Sequence, residues 1–141
     1  MSVSKFCDLS GMKALVTGSS TGIGKAIALE LADAGADVLI HYRNSREAAL
    51  EVVALIQERG RKSAALSADL AHRENYSAFI NRAFEEWGTL DLWINNAGVD
   101  LLTGADSKLD YDHKLEKLFE VDVRGTVLLS REVGQRMQQQ G

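Results

Sequence analysis

The position of the first glycine cluster constrains this chain more than any other feature. Lys13 to Thr17 is a short apolar run, too brief for a helix and therefore read as a buried strand. It passes directly into Gly18-Ser19-Ser20-Thr21-Gly22-Ile23-Gly24. Behind the glycines, Ile23, Ile27 and Leu31 recur at helical spacing, and Gly35 follows the last turn as a helix stop does. The opening unit is a strand, a tight turn and a helix.

That unit repeats along the chain. Asp37 to Tyr42 carries Val38-Leu39-Ile40, a second buried strand, and Asn44 with Glu47 resembles a helix-opening capping box. The helix that follows turns Ala49, Val52, Val53 and Ile56 inward and stops at Gly60. A third strand at Ser63 to Ser67 precedes a helix with Tyr76, Phe79, Ile80, Phe84 and Trp87 on one side, ended by Gly88. Leu90 to Ile94 is the fourth strand. From Tyr111 to Gln139 the spacing of Leu115, Leu118, Phe119, Val127 and Leu128 predicts helix in two pieces. Right-handed crossovers place each helix over the sheet, so this alternation predicts an α/β fold: a doubly wound parallel sheet of about four strands followed by a long helix. Such a sheet leaves apolar surface beyond its fourth strand, which something should cover.

Composition bounds the rest. With 141 residues, 45% of them hydrophobic, the chain builds one core but not two. Its net charge of −4, with no cluster of Lys and Arg, excludes the electrostatic footprint of a nucleic-acid binder. No apolar run approaches the roughly 18 residues of a membrane span. The single cysteine, Cys7, has no internal disulfide partner, and a cytoplasmic protein is predicted. Met1 to Ser10 reads as a short polar leader. No metal site is predicted.

Glycines between strand and helix allow a tight turn, let the backbone approach a pyrophosphate, and leave the helix N-terminus with free N–H groups and a positive dipole. Three other readings compete. One is an ordinary strand-to-helix turn. A P-loop requires Gly-x-x-x-x-Gly-Lys-Ser/Thr, and the sequence around Gly24-Lys25 fails it at Ser19 and Ala26. The third is a hydrolase nucleophile elbow, since Gly18-Ser19-Ser20-Thr21-Gly22 fits Gly-x-Ser-x-Gly with Ser20 as nucleophile. That reading needs a partner histidine, and His41, His72 and His113 have no spacing that marks a triad; each reads as a surface residue.

The octet Thr17 to Gly24 resembles the Thr-Gly-x-x-x-Gly-x-Gly signature of the short-chain dehydrogenase/reductase family, of which the 3-oxoacyl reductases and sugar dehydrogenases are members. Asn95-Asn96-Ala97-Gly98 resembles that family's second hallmark, and order and separation both match. The resemblance runs from about Lys13 to the end of the chain. It implies that residues 1–141 form an NAD(P)-binding Rossmann-type domain, the N-terminal part of a longer family domain. It implies a dinucleotide held by Gly18, Ser20, Gly22, Ile23 and Gly24 at the turn, Asp69 and Leu70 beside the adenine, and Asn96, Ala97 and Gly98 beside the ribose.

The family's acid at the end of the second strand accepts hydrogen bonds from the ribose and repels a 2′-phosphate. Here Tyr42-Arg43-Asn44 stands in its place. Arg43, with Asn44, is therefore assigned to the phosphate of NADP(H), with NAD(H) as the alternative cofactor.

The resemblance further implies an oxidoreductase moving hydride between the nicotinamide and a small carbonyl or secondary alcohol: an oxoacyl thioester, a sugar or a similar compound. The family's Ser and Tyr-x-x-x-Lys motif find no match in the sequence, since Tyr111 and Lys114 are too close and Tyr42 has Arg46 four positions on. In the long helix, where the family places an Asn, Val121-Asp122-Val123-Arg124-Gly125 presents Asp122, the candidate catalytic residue of this segment. Family members associate through this helix, so a homo-dimer or tetramer is expected. The competing functional class is a dinucleotide-binding or assembly module without catalysis.

Overall fold

Successive residues of a strand point to opposite faces of its sheet, so a strand covered by helices on both sides must be apolar throughout. β1 (Lys13–Val16) and β2 (Asp37–Tyr42) meet that condition: Ala14, Leu15, Val16, Val38, Leu39 and Ile40 are all fully buried. The computed structural model describes residues 7–141, so Met1 to Phe6 of the expected leader lie outside the described residues. Cys7 is exposed.

β3 (Ser63–Ser67) and β4 (Leu92–Ile94) complete a four-stranded sheet in the order β3-β2-β1-β4, every pair parallel. In register, Leu15 lies beside Leu39 and Trp93. The chain winds outward from β1 through β2 to β3, then crosses back to lay β4 on the other side of β1. Strand order reverses between β1 and β4, where doubly wound sheets open a crevice at the carboxyl ends of their strands.

Two cores follow from the two faces. On one, α1 (Gly22–Asp33) and α2 (Arg46–Glu58) cover Ala14, Val16, Val38 and Ile40, and α2 contributes Ala49, Val52, Val53 and Ile56 as its spacing predicted. On the other, α3 (Tyr76–Trp87) and α5 (Thr126–Gln139) cover Leu15, Leu39 and Leu66 with Phe79, Ile80, Phe84, Leu129 and Val133. Burying one such large side chain stabilises the fold by roughly 1.5–3 kcal/mol. Gly35, Gly60 and Gly88 all carry positive φ just past α1, α2 and α3, the backbone state in which glycine ends a helix.

Three local expectations need correction. The face of α1 pressed on the sheet is Gly24, Ala28 and Ala32, small residues that let helix and strand approach; Ile27 and Leu31 only flank it, and Ile23 is 75% exposed. No capping box forms with Asn44, because α2 starts one residue later with Ser45 at its N-cap and no side-chain cap bond. β4 begins at Leu92 rather than Leu90, whose backbone N–H and carbonyl are taken by the side-chain amide of Gln140 at 3.2 and 2.6 Å. The helix expected from Tyr111 to Gln139 forms in two pieces, α4 (Tyr111–Leu118) and α5, joined without a loop by a π-helical segment, Phe119–Gly125. There the buried Gly125 leaves room for the Tyr76 hydroxyl, which donates to the Leu70 carbonyl at 2.8 Å.

β4, the outer strand, is half-buried along its length, and Tyr111, Phe119 and Val127 expose 77%, 53% and 61% of their surface. No helix among the described residues is long and apolar enough to cross a membrane.

Candidate functional site

The carboxyl ends of β1 and β4 lie side by side, and the two motifs that follow them are bonded to each other. Thr17 Oγ1 accepts the backbone N–H groups of Asn96 and Ala97, each at 2.9 Å. In return the Asn96 side-chain amide donates to the carbonyls of Thr17 and Gly18 at 3.1 and 3.2 Å. The Asn-Asn-Ala-Gly segment thus holds the glycine turn in place. Asn95 points elsewhere, accepting from Trp93 Nε1 at 3.0 Å and donating to Ser130 Oγ at 2.9 Å, which ties β4 to α5.

This closure leaves no room for side chains. A Cβ on Gly18, whose φ is +62°, would come within 2.9 Å of the Ala97 Cα, and a Cβ on Gly24 would overlap the Gly18 carbonyl and the Asn96 amide. Gly22, at φ +59°, has open space around it and serves the turn's conformation alone. The first helical ladder bond of α1 near the turn runs from Lys25 N–H to the Thr21 carbonyl at 3.2 Å, so the N–H groups of the preceding turn are left unpaired by the helix itself. Thr21 provides no side-chain cap. A bare backbone surface with helix N–H groups is what a pyrophosphate requires.

Beside the turn opens a cleft of about 620 Å³. Its floor is Gly18, Ser20, Ile23 and Gly24; one wall is Arg43 and Asn44 at the end of β2; a second is Asp69 and Leu70 after β3. Asn96, Ala97 and Gly98 form the third. The structure therefore brings together every predicted site residue except two. Gly22 does not line the cleft, and Asp122 stands behind Gly98, where its Oδ1 would lie 2.7 Å from a Cβ on that glycine. Burial pushes the Asp122 carboxyl above its ordinary value, against a smaller opposing pull from the Val99 N–H. The Asp69 carboxylate closes its own turn through the Ala71 N–H at 3.0 Å.

The sequence reading missed His41. It was expected on the surface, yet it is 3% exposed and also lines the cleft. Its Nδ1 accepts the Gly18 N–H at 2.9 Å, which makes Nε2 the protonated nitrogen, donating to the Ala68 carbonyl at 2.9 Å. Burial holds its pKa below the ordinary value, outweighing the Ala68 bond and the Asp69 charge. The available signal was a polar residue continuing the apolar run Val38-Leu39-Ile40. Because both ring nitrogens are committed to backbone, His41 cannot activate Ser20, and the nucleophile-elbow reading loses the one histidine on its cleft wall. Ser19 is likewise buried, its hydroxyl donating to the Val16 carbonyl at 2.7 Å.

Comparison with known proteins agrees with this geometry. The short chain dehydrogenase family model matches residues 12–141. Versicolorin reductase of Emericella nidulans is 35% identical over 141 residues, covering 100% of this chain and 53% of that protein. Glucose 1-dehydrogenase 2 of Bacillus subtilis is 34% identical over 121 residues, covering 86% and 46%. Among solved structures, a short chain dehydrogenase from Burkholderia cenocepacia in complex with NADP superposes with a TM-score of 0.79 at 40% identity, covering 90% of this chain and 51% of that one. The chain spans about half the length of the relatives it matches. With both hallmark motifs present, bonded to each other and flanking one cleft, the chain belongs to the short-chain dehydrogenase family of nicotinamide-dependent oxidoreductases.

Proposed function

We propose that the cleft binds a nicotinamide dinucleotide, NADP(H) in preference to NAD(H), and that the chain is the cofactor-binding part of an oxidoreductase acting on a small carbonyl compound or secondary alcohol. The single observation that carries this reading is the side-chain-free cradle at Gly18 and Gly24, locked by Asn96. The unpaired N–H groups of the first turn of α1 receive the pyrophosphate. Asp69 and Leu70 flank the adenine, and Ala97 and Gly98 flank the ribose. Arg43, exposed at the cleft wall where the family carries an acid, pairs with the 2′-phosphate and is assisted by Asn44.

When bound, the cofactor supplies the hydride chemistry. The residues of this chain bind and orient it. Asp122 acts from the π-helical segment behind Gly98, where its half-buried carboxyl shapes the electrostatics of the cleft's inner end. We assign no residue of this segment to proton exchange with the substrate oxygen: none of the tyrosines, Tyr42, Tyr76 and Tyr111, has a lysine four residues on. The exposed apolar face of α4 and the π-helical segment supports a homo-oligomer, and the single cysteine supports a cytoplasmic setting.

Fluorescence titration with NADPH and NADH tests the reading. Saturable binding of both, tighter for NADPH, is expected. Equal affinity contradicts the NADP(H) preference, and absence of binding contradicts the assignment of the cleft.

A further inference from the structure

We infer that His41 is a positioning residue that fixes the Gly18 peptide only while its ring is neutral, and thereby makes dinucleotide affinity depend on pH. The inference rests on the proposed identity of the cleft as a dinucleotide site.

Gly18 is held from two sides. Its carbonyl accepts Asn96 Nδ2 at 3.2 Å, and its N–H donates to His41 Nδ1 at 2.9 Å. The second bond needs a lone pair on Nδ1. The bond from Nε2 to the Ala68 carbonyl at 2.9 Å needs the proton on the other nitrogen. One neutral tautomer satisfies both, and the His41 backbone adds two further ties: its N–H to Ser19 Oγ at 3.2 Å and its carbonyl from Ser19 N–H at 3.0 Å.

A protonated imidazole donates from both nitrogens and accepts at neither. It would keep the Ala68 bond and set an N–H against the N–H of Gly18. The Gly18 peptide must then turn, and the cradle floor moves with it, because the Gly18 carbonyl packs directly on Gly24. The groups facing the ring are those of the glycine turn, the end of β3 and α3. From α3 comes Phe79, its ring centroid 4.9 Å away and uncharged; from the end of β3 comes Asp69, whose carboxylate favours protonation. Burial opposes it more strongly, so His41 takes up its proton below the ordinary imidazole range.

The test uses the chain with NADH, because NADH lacks the 2′-phosphate, whose own titration near pH 6 would obscure the result. As pH is lowered from about 8 through the midpoint of the His41 ring, NADH affinity should fall by roughly threefold or more, the ceiling being about tenfold per unit of difference between the free and bound pKa of His41. His41→Asn keeps an acceptor oxygen for Gly18 and has no proton to gain. Its affinity differs from that of the parent, and the slope with pH is abolished. In nitrogen-correlated NMR of the unliganded chain, the Gly18 amide resonance should move with the same midpoint as the His41 ring.

A pH-independent NADH affinity while His41 titrates overturns the inference, as does a slope retained in His41→Asn. If that variant fails to fold, the coincidence of the Gly18 and NADH midpoints in the parent decides. If NADH binds at no pH, the dinucleotide reading fails by itself. The positioning role then stands or falls on whether the Gly18 amide follows the His41 titration.

Discussion

Asn96 donates from Nδ2 to the carbonyl of Gly18 at 3.2 Å across 78 positions of sequence, so the two family motifs form one hydrogen-bonded unit. The same amide reaches the Thr17 carbonyl, and the Asn96 backbone N–H reaches Thr17 Oγ1. Removing that side chain leaves two carbonyls unpaired in a half-buried site, which costs about 1–3 kcal/mol. Asn96→Ala should therefore lower the thermal midpoint by several degrees and abolish saturable NADPH binding at concentrations that saturate the parent. Calorimetry and fluorescence titration measure the two effects separately.

Gly24→Ala tests the cradle by steric means. The added methyl overlaps the backbone carbonyl of Gly18 and the Asn96 side-chain amide, which its bonds to the Thr17 and Gly18 carbonyls hold in place. Overpacking of this kind costs about 1–3 kcal/mol, and here the displaced atoms are the cradle itself. Affinity for NADPH should fall at least about tenfold in a chain that still melts cooperatively. Gly134→Ala, on α5 with open space about it, should change neither property.

Arg43→Ala separates the two cofactors. A charge-assisted hydrogen bond to phosphate contributes about 1.5–3 kcal/mol, so NADPH affinity should fall roughly tenfold to a hundredfold while NADH affinity changes little. Equal losses for both would remove Arg43 from the phosphate site.

Asp122→Asn should stabilise the fold at neutral pH. Burial raises the folded pKa of Asp122 above its unfolded value of 3.8, so the folded state binds the extra proton in the window above 3.8. The stability of the parent therefore falls as pH rises through that window, and the penalty is present in full above it. The gain in thermal midpoint for Asp122→Asn should be larger at neutral pH than below about pH 3, where the parent carboxyl is protonated in both states. The same substitution in a longer version of the protein tests catalysis: a large loss of turnover would show that the carboxylate is used.

The architecture was legible because apolar runs of strand length alternate with helical spacing, and because glycine stops at Gly35, Gly60 and Gly88 mark where each helix ends. The cleft was legible through two motifs. What escaped were features that depend on distant partners. β4 starts late because Gln140, some fifty residues on, takes the backbone groups of Leu90. Ile23 fits the helical spacing but lines the cleft, where the sheet no longer covers it. His41 was read as a surface residue because no local pattern records that Gly18 and Ala68 converge on its ring. The π-helical turn around Asp122 leaves no mark in a hydrophobic repeat.

The central claim is that one cleft, built by the glycine turn and Asn96-Ala97-Gly98, holds the dinucleotide. Two-dimensional amide NMR of the nitrogen-labelled chain titrated with NADPH tests it most directly. The account predicts saturable shifts confined to the cleft, at Gly18, Ser20, Gly24, Arg43, Asp69, Ala97 and Gly98, with the exposed face of Phe119, Val123 and Val127 unmoved. Shifts centred on that apolar face, or none at saturating NADPH, would contradict it.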